Sequence, residues 1–194
     1  HEAEEQGDQV FAADLAALAE VYVNDAFGTA HRAHASTSTM VRHFPDGRRA
    51  AGLLVAKELK FLGGLLLGAE KPYVAVLGGS KVSDKLGVIG NLLTVVDELL
   101  IGGGMCFTFL AALGYEVGES LLEVDQIDTV KGFLATAKER GVKLTLPTDI
   151  VVADAFAADA NVKVVPANGI EAGWRGLDIG PDSVKVFQEA LADC

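Results

Sequence analysis

The stretch YVAVLGGSKVSDKLGVIGNLLTVVDELLIGGG, residues 73–104, decides the fold. It opens on YVAVL, an apolar run of residues that favour extended backbone, which predicts a strand buried on both faces. GGS follows as a turn, and VSDKLGVIGNLLTVV predicts a helix in spite of its two glycines. ELLIG is then a second strand and GGG a second turn. Strand, glycine turn and helix repeated in this order predict an α/β chain, a three-layer Rossmann-like parallel sheet with flanking helices.

The pattern extends in both directions. Downstream, MCFTFLAALG is a helix ended by Gly114, and TVKGFLATAKER a helix closed by Gly141. VKLTL is a third strand, and after Pro147 IVVAD is a fourth short strand or an irregular continuation. VKVVP falls in a loop, and GLDIGP leads into a last helix from about Asp182 that runs on to the end at ADC. Upstream, VFAADLAALA (10–19) reads as a helix followed at once by the short β-like run VYVND. Residues 50–69 place apolar side chains at helical spacing, interrupted by Lys57, Glu58 and Lys60, which suits a long helix connecting two structural units.

Composition narrows the function classes. Half of the 194 residues are hydrophobic and 22% are charged, a globular balance that excludes intrinsic disorder. The 22 glycines exceed the usual ~7% and follow no repeat, so they serve turns and close backbone approaches. A net charge of −11 argues against a nucleic-acid or anionic-membrane binder. Six bases nevertheless gather in residues 31–60 (Arg32, Arg42, Arg48, Arg49, Lys57 and Lys60), which points to a local anionic ligand or to an ordinary solvated face. The two cysteines, Cys106 and Cys194, lie far apart with no metal or disulfide spacing. The longest apolar stretch, Phe61 to Ala69, is broken by glycines and too short to span a bilayer. There is no signal-like segment and both ends look cut from something longer; a reducing, cytoplasmic setting is the expectation.

The sharpest chemical feature is GGSKVSDK, residues 78–85, directly after the first strand of the repeat. Glycines admit a ligand to the backbone, and a following helix presents unpaired N–H groups and a positive dipole end. Lys81 and Lys85 stand four residues apart and share one face if the first helical turn has begun, which would make a polyphosphate clamp. Asp84 between them can pair with either and weaken it, leaving a solvated surface turn as the plain alternative. The segment is neither a Walker loop, since GK[ST] is missing, nor GxGxxG, since Gly78 and Gly79 are adjacent. Gly102, Gly103 and Gly104 end the next strand at the same topological place, as a surface for a flat base or as a tight turn. In NDAFGTAHRAHAS (24–36), Arg32 is suited to hold a phosphate or carboxylate bidentately. His31 and His34 lack partners for a metal set and read as structural, and Cys106, on an apolar helix face, reads as a buried inert thiol.

VYVNDAFGTAHRAHAS, LGGSKVSDKLGVI, LLIGGGMCFTFL, LPTDIVVAD and GWRGLDIGP occur together and in order, from about Leu15 to the C-terminus. Jointly they closely resemble phosphoglycerate kinase, a two-domain monomeric glycolytic enzyme. The resemblance implies that residues 1–50 correspond to the C-terminal part of a 3-phosphoglycerate-binding domain, 51–70 to the interdomain connector helix, and 71–194 to the first part of a nucleotide-binding domain. It implies that Arg32 is catalytic and contacts the phosphoglycerate. Lys81 would stabilise the transferring phosphoryl group, with Lys85 on the nucleotide phosphates. Gly79, Ser80, Gly104, Phe156, Gly176 and Leu177 would line the nucleotide site; Ser80 stands where Ala is common. The implied ligands are ATP or ADP with Mg2+, whose protein ligand falls outside this segment, and 3-phosphoglycerate or 1,3-bisphosphoglycerate.

The family's upstream basic residues, its WNGPxGxFE segment and its GGGD[ST] motif are not in these residues, so the segment alone is expected to lack kinase activity. Two other classes remain open from sequence. A dehydrogenase demands the dinucleotide fingerprint with an acid some 20 residues on; Asp97 and Glu98 lie near that distance, but the glycine spacing fails. A non-catalytic interaction fragment would be indifferent to Lys81→Ala.

Overall fold

In the computed structural model residues 1–192 and 194 are described, Leu66 and Leu67 by their backbone only. The chain forms two compact units, His1–Ala69 and Glu70–Cys194.

The first unit holds helices α1 (Glu2–Glu5), α2 (Gln9–Ala16) and α3 (Leu53–Gly68), with strands β1 (Tyr22–Asn24) and β2 (Arg49–Ala51) paired in parallel. Asp8 caps α2, its carboxylate accepting from Phe11 N–H. Between β1 and β2 the chain is wound into tight helical turns over Ala35–Thr39 and Met40–His43. Asp25 accepts from Val55 N–H at 3.0 Å and so caps α3 from a distant segment. A Cβ at Gly52 would fall 2.3 Å from that carboxylate, which is why the residue before α3 is glycine.

The second unit carries the α/β repeat read from residues 73–104. Strands β3 (Val74–Leu77), β4 (Glu98–Ile101) and β5 (Lys143–Thr145) form a parallel sheet in that order, joined through helices α4 (Leu86–Leu92), α5 (Cys106–Ala112) and α6 (Ile127–Arg140). The central strand is β4, and its Leu99, Leu100 and Ile101 are fully buried. The expectation that YVAVL is buried on both faces fails. In the sheet β3 is an edge, and Val76 is 59% exposed. Periodicity cannot separate an edge from a centre when both runs are apolar. Helix α6 ends as expected on Gly141, which adopts φ 71° while Val142 N–H reaches back to Ala137 O.

A second sheet departs from the sequence reading. Strands β6 (Asp149–Ala153), β7 (Val162–Pro166) and β8 (Arg175–Ile179) form an antiparallel sheet in the order β7-β6-β8. VKVVP is therefore a strand and not a loop. Its alternation of exposed Val162 and Val164 with half-buried Lys163 is the half-buried period of two, disguised because the outward residues are apolar. Helix α7 (Pro181–Leu191) follows β8; the expected continuation through Asp193 lies outside the described residues.

The start of α7 is fixed by Asp149, which is 8% exposed. Its carboxylate accepts from Ser183 N–H at 2.7 Å, Asp182 N–H at 3.1 Å and Ser183 Oγ–H at 2.6 Å. The Ser183 hydroxyl oxygen in turn accepts from Thr148 and Asp149 N–H groups. Pro181, with no N–H of its own, occupies the first helical position. Burial pushes the Asp149 pKa up, but the Ser183 hydroxyl and these N–H donors outweigh it and hold the carboxyl below its ordinary value.

Candidate functional site

Both glycine turns lie at the carboxyl edge of the parallel sheet, where α/β folds place ligands. They are packed backbone against backbone. Gly102 N–H donates to Leu77 O at 2.9 Å, and Met105 N–H to Gly79 O at 2.8 Å. A Cβ on Gly103, which has φ 63°, would lie 2.9 Å from Gly79 N, and one on Gly104 would lie 3.2 Å from Ser80 O. The packing accounts for these glycines as tight turns, and it leaves Gly79, Ser80 and Gly104 side by side.

Lys85 joins this group, since its side-chain stem passes over Gly79, where a Cβ would meet Cε at 2.9 Å. Lys81, exposed, precedes the first helical turn, which begins only at Ser83. The two lysines thus do not share a helix face, although the bent segment keeps them four residues apart beside the turns. Asp84 pairs with neither, and among the described residues neither lysine has a salt bridge.

The helix-dipole expectation is corrected. Helix α4 is only seven residues long and starts at Leu86. The donors ahead of it are already used. Glu123, a residue the sequence reading passed over, accepts from Val82 N–H at 2.5 Å, Ser83 N–H at 3.1 Å and Ser83 Oγ–H at 2.5 Å. The Ser83 hydroxyl, with lesser help from the Ser83 and Val82 N–H groups, holds its carboxyl below the ordinary glutamate value against desolvation and the Asp125 charge. The positive groups left at this edge are therefore the ammonium groups of Lys81 and Lys85, neither of which has a salt bridge among the described residues.

Beside Gly104 opens a cavity of about 340 Å³. Gly104, Phe107, Leu121, Phe156, Gly176 and Leu177 form its apolar lining, with Glu119, Ser120 and Arg175 as the polar members. Four of the residues expected around a nucleotide, Gly104, Phe156, Gly176 and Leu177, thus meet at one cavity. Phe156 is 83% exposed, on the loop between β6 and β7. Gly176 lacks a side chain for a packing reason. A Cβ there would fall 2.1 Å from Phe107 Cζ and 3.0 Å from Ile150 Cγ2. The opposite wall is pinned to β8: Gly176 N–H donates to Ser120 Oγ at 2.8 Å, and Glu119 N–H to Trp174 O at 2.8 Å. Glu119, Ser120 and Leu121 carry no sequence signal beyond following Gly118, whose φ of 53° and contact with Trp174 O turn the loop onto the strand.

Arg32 belongs to the first unit, where it is exposed and its carbonyl accepts from Thr37 Oγ1–H at 2.9 Å. His31 is exposed and His34 half-buried; among the described residues no three His, Cys, Asp or Glu side chains converge as a metal site. Cys106 is buried, which pushes its thiol up to about 12. Asp97 is taken up structurally: it pairs with Lys71 at 2.5 Å and accepts from Tyr73 N–H at 2.8 Å.

A parallel sheet with two facing glycine turns, two nearby lysines and a largely apolar cavity towards its carboxyl edge defines an α/β protein of the kind that places its ligands at the strand ends. A family model for phosphoglycerate kinase matches residues 1–194, and the chain belongs to the phosphoglycerate kinase family. It is 57% identical to phosphoglycerate kinase of Acaryochloris marina over its whole length, covering 48% of that protein. It is also 57% identical over 188 residues to a cytosolic phosphoglycerate kinase of Arabidopsis thaliana, with 46% of that protein covered; a chloroplastic Arabidopsis relative is equally similar at 57%. Among solved structures, phosphoglycerate kinase from Coxiella burnetii aligns with a TM-score of 0.87 at 38% identity, covering 98% of this chain and 49% of that one. The Pyrococcus horikoshii enzyme aligns at 0.76 and 27% identity, covering 97% of this chain and 47% of that one. The chain spans about half the length of the curated relatives it matches.

Proposed function

We propose that these residues serve the phosphoglycerate kinase reaction, reversible phosphoryl transfer between ATP and the carboxylate of 3-phosphoglycerate. The observation that carries the reading is the juxtaposition of Gly79, Ser80 and Lys85 with the cavity lined by Gly104, Phe156, Gly176 and Leu177. The base and sugar occupy that cavity, and the phosphates run along the glycine turns towards Lys85 and Lys81. A 3-phosphoglycerate carboxylate oxygen attacks the γ-phosphorus, the bond to the β,γ-bridging oxygen breaks, and ADP leaves. The nucleophile is already ionised at neutral pH, so no general base is needed. Negative charge spreads over the equatorial oxygens of a loose transition state, and Lys81 stabilises it. Arg32 holds the phosphoglycerate.

No trio of acidic, cysteine or histidine side chains among the described residues suits a protein-held Mg2+, so no step is assigned to it. Residues 1–50 are proposed as part of the phosphoglycerate-binding domain, 51–70 as the connector helix and 71–194 as part of the nucleotide domain. The enzyme is proposed as monomeric and cytoplasmic; a cytosolic relative supports the location, beside a chloroplastic one, and among the described residues no helix is long and apolar enough to cross a membrane. Calorimetric titration with MgADP tests the reading, beside Lys81→Ala and Lys85→Ala. Unchanged affinity in both variants would remove the phosphate assignment.

A further inference from the structure

A carboxylate bonded to the residues between two phosphate-binding lysines calls for a reason, because its charge opposes the ligand that they attract. Glu123 is that carboxylate, and among the described residues it pairs with neither Lys81 nor Lys85. Its lone pairs go to the segment between them instead. Oε2 accepts from Val82 N–H at 2.5 Å and from Ser83 N–H at 3.1 Å, while Oε1 accepts from Ser83 Oγ–H at 2.5 Å. Two successive backbone N–H groups and a hydroxyl thus converge on one side chain from a distant part of the sequence.

Both sides of this contact are anchored. Val82 is fully buried, and Lys85 N–H closes a short turn onto Val82 O at 2.9 Å. Glu123 N–H donates to Oγ1 of Thr108, a buried residue of α5, at 3.3 Å, and Gln126 N–H reaches back to Glu123 O at 3.0 Å. The lysines themselves have no salt bridge to fix them. An ammonium on a long, flexible stem is aimed only as well as the backbone that carries it. Among the described residues, Glu123 is the side chain that bonds the backbone between Lys81 and Lys85.

On the reading that Lys81 and Lys85 meet the nucleotide phosphates, we propose that Glu123 is a positioning residue. It fixes the Val82–Ser83 backbone and so aims both lysines, without touching the ligand. The loop that carries it also supplies Ser120 and Leu121 to the cavity wall, so one segment sets the spacing between that cavity and the lysines.

Positioning and bare charge have opposite signs here. As a negative charge alone Glu123 would oppose a phosphate, and neutralising it would tighten binding. As a positioning residue, its loss frees the lysines and weakens binding. Calorimetric titration with MgADP, and with adenosine, which lacks phosphates, separates the two. Glu123→Gln should weaken MgADP about five- to tenfold while adenosine stays within about twofold. Ser83→Ala alters no charge and is the milder variant; it should weaken MgADP about two- to threefold. In a Lys85→Ala background, Glu123→Gln should cost less than it does in the wild type. MgADP affinity equal to or tighter than wild type in Glu123→Gln, no loss in Ser83→Ala, or equal losses for MgADP and adenosine would overturn the positioning role. MgADP binding indifferent to Lys81→Ala and Lys85→Ala would instead overturn the phosphate reading and this inference with it.

Discussion

Replacing Asp149 with Asn probes the join between the antiparallel sheet and α7. The carboxylate takes three donors at 2.6–3.1 Å, two of them the N–H groups of Asp182 and Ser183 in the first turn of the helix. An amide of the same shape keeps one acceptor oxygen and turns an NH2 towards a donor. The loss therefore comprises one charge-assisted hydrogen bond, roughly 1.5–3 kcal/mol, and the favourable charge at a helix N-terminus, about 0.3–1 kcal/mol. Some relaxation at the rim leaves an expected destabilisation of about 2–3 kcal/mol at pH 7. Trp174 is the sole tryptophan and immediately precedes β8, which pairs with the strand that Asp149 begins. Its fluorescence in a urea titration thus reports on the second unit. The pH dependence has a defined sign. The native Asp149 pKa is depressed, so its contribution is complete above the unfolded aspartate value of about 3.9 and is lost as pH falls through the lower native value. The difference between wild type and Asp149→Asn should be constant from pH 7 to about pH 5 and shrink below pH 4. A difference under about 0.5 kcal/mol at pH 7, or one that persists undiminished into acid, would refute the assignment of this carboxylate as an ionised cap.

Gly176→Ala should destabilise the second unit by roughly 2–4 kcal/mol, because its methyl group enters the Phe107 ring, and Phe107→Leu should restore much of the loss in the same urea titration. Glu123→Gln, which frees part of the Val82 and Ser83 donor set, should lower the thermal midpoint of the apo protein. A thiol-reagent titration should count one fast cysteine in the native protein and two after denaturation, since Cys194 is exposed while Cys106 is buried with its thiol pushed up to about 12. Lys85→Ala should lower MgADP affinity about tenfold, with the difference diminishing as salt is raised.

The parallel sheet was legible because its signals are local: apolar runs, glycine turns and helix ends follow one another in residues 73–145. The antiparallel sheet was not, because β7 pairs with β6 across a loop and its outward valines erase the polar alternation that marks a half-buried strand. The glycines and lysines of the candidate site were visible as a motif. Glu123, Glu119 and Leu121 were not, since each reaches the site through a contact made only in three dimensions, 40 residues away in the case of Glu123 and Ser83. Helix α4 was overextended at both ends, because VSDK and TVV carry helical spacing without marking where Glu123 replaces intrahelical bonding.

The contact between the two glycine turns bears on how substitution maps of such a site are interpreted. At Gly103 the obstacle to a larger residue is the neighbouring turn itself, at 2.9 Å, and at Gly104 it is the Leu121 side chain at 2.7 Å together with that turn at 3.2 Å, before any ligand arrives. A screen scored on activity alone would rank these positions beside Lys85 as contacts to the nucleotide. Scored on abundance as well, they would separate, with glycine variants lost from the soluble pool and lysine variants retained but inactive. Proximity to a binding site and participation in it are thus distinguishable here by protein yield.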